Sequence, residues 1–404
     1  MNILFLTLAG INNIDQRGIY PDLIKYFVEQ SHKVCIVSPI ERKEKKKTHL
    51  IKREQYDVLR IKTLNIQKTK FVEKALGIFL IDFQFKAGMQ KHIEYENVDL
   101  VIYTTPPITL VNSIQYLKKK YNPYCYLLLK DIFPQNALDL QLISRNSILY
   151  TYFRNTEKRL YNISNKIGCM SVANVEYILK HNTYISRSKV EVCPNSITPN
   201  SNIPSKLDRI EKRKRFGLPT DKTIFIYGGN LGKPQGVDFI VEFLNAQIQN
   251  TNAYFIILGS GTEYYKIENW ILKHNPENVK LISFLPKKEY DDFQKCGDIG
   301  LVFLDHRFTI PNFPSRILPY MDDALPIIAV TDIASDIGSV IVDNNFGKHC
   351  LTGDLKTLNN IVEYFCEIEE AQLQILKDNS RNYLINHYTS EISYNIIMNA
   401  IIQK

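Results

Sequence analysis

Short apolar runs rich in β-branched residues alternate with helical patterns along the whole chain, and this alternation limits the fold more than any other feature. In the first half the runs predict strands at residues 3–8, 34–38, 58–61, 100–104, 124–129, 166–170 and 190–193. Helical patterns such as 21–30, 108–120 and 147–163 lie between them. Strands that alternate with helices in this way are typical of parallel sheets with helices on both faces.

The alternation stops once and then starts again. Residues 198–215 are polar and show no strand pattern, whereas strands are predicted beyond them at 223–227, 254–258, 279–284, 299–304 and 327–330. A chain of 404 residues is long enough for two domains that each bury a core. We therefore predict an α/β protein with two Rossmann-like, doubly wound domains, 1–197 and 216–379, joined by a linker at 198–215. Residues 380–404 are predicted to form a C-terminal helix that can pack back on the first domain.

The net charge of +8 is distributed unevenly along the chain. Residues 1–200 carry 29 Lys and Arg against 17 Asp and Glu, whereas residues 201–404 carry 21 against 25. A basic first half suits a phosphate-bearing partner or an anionic membrane surface, and an ordinary solvated surface is the alternative. No helix-turn-helix, zinc-finger or RNA-binding pattern accompanies the basic residues, which argues against nucleic acid as the partner.

The sequence shows no pattern typical of a transmembrane or secretory segment. The apolar run at 75–85 is interrupted by Asp82 and is shorter than the roughly 18 to 20 residues that span a bilayer. The first predicted strand follows Met1 and Asn2 without a basic leader, and the seven scattered cysteines form no Cys-x-x-Cys pair. We expect a cytoplasmic protein with reduced thiols.

Three turns in the second half follow predicted strands and are expected at one edge of the sheet, where ligands bind in such folds. The first is GGNLGKPQG at 228–236, whose glycines let the backbone approach a diphosphate closely. The second is ILGSG at 257–261, and the third lies in NFPSRILPYMDDALPIIA at 312–329. There Ser315 and Arg316 precede a short helix, and Arg316 offers a planar fork of donors for phosphate oxygens. Each turn alone is often only structural, but their shared order favours a phosphate site.

With these turns the sequence resembles the retaining nucleotide-sugar glycosyltransferases of family 4, within it the bacterial enzymes that build capsule and O-antigen repeats. The resemblance extends to 283–304 in the second half. In the first half it extends to QRGIYPDL at 16–23, TTPPIT at 104–109, KDIFPQNALDL at 130–140, residues 167–182 and CPNS at 193–196. It implies the GT-B fold, in which two Rossmann-like domains face a cleft, and transfer of a sugar to an acceptor held by the first domain.

The resemblance also implies roles for individual residues. The nucleotide-sugar donor would be bound by Gly18, Gly229, Asn230, Lys233, Gln235, Gly259, Gly261, Leu285, Ser315 and Arg316. Asp131 would face the reacting carbon or the acceptor as the catalytic candidate, although an Asp after a strand is as often a cap. The candidates on the acceptor side are Arg17, Thr105 and Asn136.

The sequence departs from the family pattern at the donor site. Many members have Arg and Lys where Asn230 and Gln235 stand, so the charge of the diphosphate is expected to be met by the remaining cations and by helix N-termini. A family Glu that often binds the ribose is replaced by Pro319, and a nearby Gly by Leu325. Pro319 also predicts that a helix begins or kinks there.

No Asp-x-Asp pair occurs in the sequence, whereas a metal-dependent transferase of the other common fold needs clustered carboxylates. We therefore expect no metal, and no cofactor besides the nucleotide sugar, which is a co-substrate. Two carboxylate pairs, Asp291 with Asp292 and Asp322 with Asp323, are predicted to lie on helices and to face solvent.

The implied reaction is departure of a nucleoside diphosphate, with UDP the expected nucleotide, and attack by the acceptor hydroxyl from the same face. Two alternatives stay open. A nucleotide-sugar epimerase of the same fold would use the same turns, although the acidic residues and histidine typical of such a site are not evident. An inactive partner in polysaccharide assembly is the other alternative, because Pro319 replaces the family Glu.

The stretch 70–93, KFVEKALGIFLIDFQFKAGMQKHI, permits two interpretations. It is a core helix with a charged rim, because residues 75–85 are apolar on more than one face, or it contacts an anionic membrane surface. In the second interpretation lipid headgroups are met by Lys70, Lys74, Lys86 and Lys91. That interpretation follows from the resemblance, which implies a lipid-linked saccharide acceptor on the inner face of the bacterial cytoplasmic membrane.

Overall fold

A computed structural model describes residues 1–66, 69 and 71–402 of the protein, with only the backbone described for residues 71, 72, 74 and 75. This part of the chain forms two compact units. The first comprises Met1–Thr198 together with Thr389–Lys404, and the second is Pro199–Tyr388. Each unit contains one sheet with its own hydrophobic core.

The first unit is built on an eight-stranded sheet. Its strands are β1 (Asn2–Leu6), β2 (Lys33–Glu41), β3 (His49–Lys52), β4 (Tyr56–Thr63), β5 (Leu100–Thr104), β6 (Tyr124–Leu129), β7 (Lys166–Cys169) and β8 (Val190–Val192). They lie in the order β3-β4-β2-β1-β5-β6-β7-β8, and β3 is antiparallel to β4 whereas the other neighbours are parallel. The helices between them are α1 (Ile19–Glu29), α2 (Phe71–His92), α3 (Val111–Tyr121), α4 (Gln135–Asp139), α5 (Ile148–Ile163) and α6 (Val172–His181).

The second unit contains a six-stranded parallel sheet. Its strands are β9 (Thr223–Gly228), β10 (Ala253–Leu258), β11 (Val279–Ile282), β12 (Ile299–Phe303), β13 (Ile327–Thr331) and β14 (Gly347–Leu351), in the order β11-β10-β9-β12-β13-β14. The helices are α7 (Lys206–Arg215), α8 (Val237–Ala246), α9 (Tyr264–His274), α10 (Lys287–Gln294), α11 (Ile317–Asp322), α12 (Ile337–Asp343), α13 (Leu355–Glu367) and α14 (Glu370–His387). The central strands are apolar on both faces because helices cover both, as is usual for parallel sheets.

The predicted linker at 198–215 is wrong for its second half. Residues Lys206–Arg215 form α7, which belongs to the second unit. Arg209 and Arg213 bury their side chains there, the former on the carbonyl oxygens of Lys295 and Gly297 and the latter in a salt bridge to Asp298 at 2.6 Å. The polar sequence concealed the helix because its buried face uses guanidinium groups instead of aliphatic side chains.

The predicted single closing helix is also interrupted. α14 ends at His387 in the second unit, and a separate helix, α15 (Ser390–Ile402), belongs to the first. α15 packs on α1, where the rings of Tyr394 and Phe27 lie 4.9 Å apart and the Tyr394 hydroxyl contacts His32 Nε2 at 2.9 Å. Continuous helical spacing in the sequence did not reveal the break at Tyr388 and Thr389, which is set by contacts with two different units.

The pair Asp322 and Asp323 was predicted to face solvent, and this prediction is wrong. Both carboxylates are buried at the end of α11. Asp322 forms a salt bridge with Arg381 of α14, and Asp323 accepts a hydrogen bond from Gln294 at 2.8 Å. A buried carboxylate needs such partners, and they come from sequence positions too distant for a local pattern to show.

Helix α2 has two distinct apolar faces. Ile81, Phe85 and Met89 are buried in the first unit, whereas Phe79 and Phe83 on another face are 43% and 72% exposed. Of the lysines named in the membrane hypothesis, Lys70 and the side chain of Lys74 lie outside the described residues. No helix in the described part of the chain has the length and apolar character needed to cross a membrane.

Candidate functional site

Strand β9 lies between β10 and β12, and the three strands end at the same edge of the second sheet. The chain passes from β9 to β10 and β11 on one side and then returns to β12 on the other. The strand order therefore reverses at β9, and open parallel sheets bind ligands outside the carboxyl ends of strands at such a point. The turns after β9 and β10 lie at this position.

These two turns are in direct backbone contact. The Gly229 N–H donates to the Leu258 carbonyl at 2.9 Å. A Cβ on Gly259 would lie 1.8 Å from the Gly229 carbonyl oxygen, and one on Gly261 would lie 2.2 Å from that of Leu231. Gly259 and Gly261 are thus required by the close approach of two backbones, which gives them a role in shaping the first turn.

Asn230 and Gln235, which stand where cations are common in the family, bond to each other. Asn230 Nδ2 donates to Gln235 Oε1 at 2.9 Å, and the Gly232 N–H donates to the same oxygen at 3.2 Å. This pair closes the turn and supplies no charge. Lys233 is exposed beside it, and α8 follows with Gly236 at an N-terminus that has no side-chain cap. The positive end of a helix dipole favours a negative ligand at this point.

The Arg316 side chain lies beneath the first turn, among aromatic rings. Its Cζ is 4.6 Å from the centroid of the Tyr227 ring, and a Cβ on Gly229 would lie 3.1 Å from the same atom. Gly229 has φ +142°, which L side chains rarely adopt. Tyr290 and Tyr320 also interact with the guanidinium. Burial raises the pKa of Tyr290 to about 12 and raises that of Tyr320 further, so both phenols stay neutral near neutral pH.

The partly buried Arg316 forms no salt bridge among the described residues. Its Nη1 is buried without a hydrogen-bond partner there, and the largest interactions of the guanidinium are with Tyr227, Tyr320 and Tyr290. Partial burial costs a cation some of its hydration, and here neutral rings offset that loss instead of a carboxylate. The unpaired Nη1 suits an anionic ligand.

The remaining donor candidates lie in different loops. Ser315 is exposed immediately before Arg316. Leu285 is half-buried in the loop between β11 and α10, next to Phe284, which is 76% exposed. Ser315 therefore lies next to Arg316 because the two are neighbours in sequence. Leu285 follows β11, the edge strand of the same sheet.

The sequence prediction missed two features of this edge. One is the set of tyrosines around Arg316, for which a signal existed: Gly300 in β12 leaves room for the Tyr320 ring, since a Cβ there would lie 2.5 Å from it. The other is Asp305, a buried carboxylate just after β12 that accepts bonds from Arg307 Nε and Nη2, both at 2.8 Å. The acid and base lie two residues apart after a predicted strand, which was a usable signal.

In the first unit, Thr105, Asp131 and Asn136 lie together at the carboxyl ends of β5 and β6. Asn136 Nδ2 donates to both carboxylate oxygens of Asp131, at 2.7 and 2.8 Å. The Thr105 hydroxyl donates to the Asp131 carbonyl at 3.3 Å and accepts from the Lys130 N–H at 3.0 Å. Burial raises the pKa of Asp131 to about 6, although the Asn136 hydrogen bonds act in the opposite direction.

Lys130 is a further candidate that the sequence prediction missed. Its Nζ donates to the Cys193 carbonyl at 3.3 Å, and burial lowers its pKa to about 8. A lysine directly after the apolar run of β6 was the signal available in the sequence. With Asp131 beside it, this edge of the first sheet carries two titratable groups whose pKa values are displaced toward neutrality.

Gly18 and Arg17 precede α1. The Gly18 N–H donates to Asp22 Oδ1 at 3.0 Å, and a Cβ on Gly18 would make only an ordinary contact with Pro21, so packing within the first unit does not require glycine. Arg17 Nη2 donates to the Thr198 carbonyl at 2.7 Å. Arg17 is therefore engaged by the first unit's own backbone.

A search for metal ligands gives no candidate in the described residues, where no group of three or more His, Cys, Asp or Glu side chains could hold an ion. A reaction without a metal stays a prediction.

Comparison with known sequences identifies part of the chain. Residues 208–383 match the family described as Glycosyl transferases group 1. The protein named Probable glycosyltransferase WbjE, from Pseudomonas aeruginosa, is 22% identical over 71% of this chain and 72% of its own length. O-antigen biosynthesis glycosyltransferase WclY from Escherichia coli is 22% identical over 48% of this chain and 50% of its own.

Solved structures resemble the whole chain. The crystal structure of Anabaena HepE in complex with UDP-glucose is similar over 100% of both chains, with a TM-score of 0.71 and 15% sequence identity. At this identity the similarity concerns the fold, and it confirms the predicted α/β architecture with two Rossmann-like domains. Residues 208–383 thus match the glycosyl transferases group 1 family, and the chain that contains them has the GT-B fold.

Proposed function

We propose that this protein is a retaining, metal-independent glycosyltransferase that moves a sugar from a UDP-linked donor to a lipid-linked or saccharide acceptor in the biosynthesis of capsule or O-antigen. The observation that carries the proposal is the partly buried Arg316 guanidinium, whose Nη1 is buried and has no hydrogen-bond partner among the described residues. A nucleotide diphosphate offers the negative charge that is missing, in the planar geometry that a guanidinium binds well.

Three neighbouring features support a diphosphate at Arg316. The Gly229 peptide has no side chain to keep a phosphate away from the guanidinium. Lys233 is exposed in the same turn and free to approach phosphate oxygens. The N-terminus of α8 adds the positive end of a helix dipole. These groups are held by the backbone of β9 and β10, so they need little rearrangement when the ligand binds.

The proposed reaction breaks the bond between the anomeric carbon and a phosphate oxygen. Negative charge develops on the departing diphosphate, so fixed cations and N–H donors there lower the barrier. The acceptor hydroxyl bonds to the anomeric carbon from the same face, which retains the configuration, and its proton passes to the departing phosphate. Asp131 has a supporting role near the acceptor; with a pKa of about 6 it is mostly ionised at neutral pH.

The known proteins support the finer parts of this proposal. HepE was crystallised with UDP-glucose, which favours a UDP-linked donor for the present chain. WclY is named for O-antigen biosynthesis, which favours a saccharide acceptor of that kind. A lipid-linked acceptor would stay in the bilayer, so we place the protein in the cytoplasm, peripheral on the inner face of the membrane.

The donor site is tested by thermal unfolding of the protein with UDP, GDP and their sugars, because a ligand that binds only the folded state raises the midpoint. We expect UDP to raise the midpoint of the wild type and to have little effect on Arg316→Ala. Arg215→Ala is the matched control, since it removes an exposed guanidinium from the same unit, and it should respond like the wild type. A wild type that responds to no nucleotide contradicts the proposal.

The reaction is tested with a UDP-sugar and a lipid-linked saccharide, with NMR of the product as the readout. We expect a new glycosidic bond with the same anomeric configuration as the donor. An epimerised donor without transfer would identify an epimerase instead. Neither transfer nor donor hydrolysis by a protein that binds UDP would identify an inactive partner.

A further inference from the structure

A cavity of about 230 Å³ opens on the first unit, away from the turns described above. Its walls come from α2, from the start of α3 and from α5. Lys86 and Arg159 contribute two cations, and Phe79, Phe83 and Tyr152 contribute aromatic rings. A pocket that combines cations with exposed rings is suited to a ligand that is both anionic and apolar.

The two cations of the cavity have no acidic partner. Arg159 Nη2 donates to the amide oxygen of Asn112 at 3.2 Å, and neither Arg159 nor Lys86 forms a salt bridge with any described residue. Asp82 also lines the cavity, but its carboxylate is occupied by the N–H groups of Asn112 at 2.9 Å and Ser113 at 2.8 Å. The charge left for a ligand is therefore positive.

A third group in the cavity points independently to a ligand. Thr109 lines it and is only 5% exposed, and the Thr109 hydroxyl oxygen is buried without a hydrogen-bond partner in the described structure. Buried hydroxyls are normally satisfied, because an unmade hydrogen bond costs free energy. A phosphate oxygen in the cavity would accept from this hydroxyl and bond to both cations.

The surface around the cavity is apolar and exposed. On α2 the spacing of Leu76, Phe79, Leu80 and Phe83 places them on one helical face, and each is at least 43% exposed. The face continues onto α5, because the rings of Phe79 and Tyr152 lie 5.1 Å apart. We call the six residues of this face the α2–α5 surface: Leu76, Phe79, Leu80, Phe83, Ile148 and Tyr152. Exposed apolar patches of this kind mark sites of contact with a partner or a membrane.

We propose that the cavity binds the phosphate headgroup of an anionic membrane lipid, with the α2–α5 surface in the apolar part of the membrane interface. Lys86, Arg159 and the Thr109 hydroxyl bond to the phosphate. The exposed rings leave water and contact the acyl chains of the lipid. Charge complementarity favours a lipid over a protein partner, because the two cations and the unpaired Thr109 hydroxyl of the cavity lie beside exposed rings, and a lipid phosphate satisfies all three. The proposal rests on the membrane location in the proposed function, but lipid binding needs no sugar donor, so its failure would leave the transferase activity untouched.

A chain of aromatic contacts connects this surface with the Asp131 edge of the first sheet. Phe79 stacks on Phe153 at 5.9 Å, and Phe153 contacts Phe133 at 4.8 Å. Phe133 lies two residues after Asp131. A continuous row of packed rings therefore joins the proposed membrane surface to the loop that carries the acceptor candidate Asp131.

The test is co-sedimentation with vesicles of phosphatidylcholine, with and without phosphatidylglycerol. We expect the wild type to bind only the anionic vesicles and to be released by salt. Lys86→Gln with Arg159→Gln should weaken binding roughly thirtyfold, since each basic residue near such a surface contributes about 1 kcal/mol. The matched control, Lys119→Gln with Lys180→Gln, removes the same charge from exposed positions elsewhere in the unit and should bind nearly as the wild type does.

Two further variants separate the parts of the site. Thr109→Val removes a hydroxyl that has no hydrogen-bond partner among the described residues, so the thermal midpoint should not fall while vesicle affinity falls several-fold. Phe83→Ser removes an exposed ring and should also weaken binding without unfolding the protein. The proposal would be overturned if the cavity variant and the control variant lost vesicle affinity equally. Binding of the wild type to neutral vesicles would also overturn it. One other outcome would contradict the lipid site. If inorganic phosphate raises the thermal midpoint of the wild type but not of the Lys86→Gln, Arg159→Gln variant, and both bind vesicles equally, the cavity binds a soluble phosphate instead.

Discussion

At the scale of single residues, the surroundings of Arg316 favour its charged form, whereas the surroundings of Asp131 disfavour its charged form. Arg316 is partly buried among neutral rings that favour its charge, and its Nη1 has no hydrogen-bond partner among the described residues. Asp131 is bonded through both oxygens by Asn136, yet burial still raises its pKa to about 6. Arg316 therefore favours a bound phosphate, and Asp131 has a pKa of about 6, just below neutral pH.

Replacement of Arg316 by alanine should reduce transfer strongly. We expect kcat/KM to fall by roughly 10²–10³, which corresponds to a loss of about 3–4 kcal/mol of transition-state stabilisation for one removed electrostatic donor. Steady-state kinetics with a saturating acceptor measures the effect. Arg316→Lys keeps the positive charge but lacks the planar guanidinium, so its kcat/KM should lie between those of the wild type and Arg316→Ala. An unchanged kcat/KM in Arg316→Ala would remove this residue from the site.

Replacement of Asp131 by asparagine should change the pH dependence of stability. The folded-state pKa of about 6 exceeds the ordinary value of 3.8, so the protonated carboxyl stabilises the wild type below about pH 4, and this contribution is lost as the pH rises to about 6. The stability of Asp131→Asn relative to the wild type should therefore increase across that window, by at most about 3 kcal/mol. Calorimetric midpoints at several pH values measure it, with the exposed Asp15→Asn as control. A constant difference between pH 4 and 7 would contradict the expectation.

At the scale of elements, the first turn of the second unit is shaped by its neighbour. The turn after β10 approaches so closely that Gly259 and Gly261 leave no room for side chains. The turn after β9 is thereby held over the Arg316 guanidinium, with Gly229 in a conformation that other residues rarely adopt. The geometry expected for phosphate binding thus depends on the packing of two turns and on no single motif.

Gly259→Ala should disturb the donor turn. Its new methyl group would lie 1.8 Å from the Gly229 carbonyl oxygen, so the two turns must separate, at a cost of about 1–3 kcal/mol in unfolding free energy. UDP affinity should fall with it, as measured by isothermal titration calorimetry. Gly232→Ala, in the turn after β9, is the control, because the nearest atom to its new methyl group is the end of the Asn230 side chain, at 2.8 Å, and not backbone. Equal behaviour of the two variants would show that the contact between the turns is unimportant.

At the scale of the whole molecule, the chain assigns its residues to two units in a way that is not continuous in sequence. The last helix, α15, belongs to the first unit although α14 belongs to the second. Each unit presents polar groups at the carboxyl edge of its own parallel sheet: Arg316 in the second, and Lys130 and Asp131 in the first. A two-substrate reaction with separate sites for donor and acceptor suits such a division.

Activity of the whole protein should not require a divalent cation. The proposed site meets the diphosphate charge with Arg316, Lys233 and a helix N-terminus, and the sequence has no Asp-x-Asp pair to bind a metal. Transfer should therefore continue in excess EDTA at an unchanged rate, with a metal-dependent transferase assayed in parallel as the control. Loss of activity that Mg²⁺ or Mn²⁺ restores would contradict this expectation.

The sequence by itself determined the two parallel sheets, most of their strands and the three turns at one edge of the second sheet. It could do so because buried strands need apolar side chains and tight turns need glycine, and both requirements are local. It missed β3 and β14, which are short edge strands with partly exposed side chains and hence no continuous apolar run.

Only the tertiary structure decided which polar residues are buried and which atoms meet. The buried face of α7 and the carboxylates of Asp322 and Asp323 appeared solvent-exposed by composition, because their hydrogen-bond and salt-bridge partners lie far away in the sequence. The unpaired Thr109 hydroxyl also could not be read from the sequence. Burial of a charge depends on partners brought together by the fold, and a linear pattern carries no information about those distances.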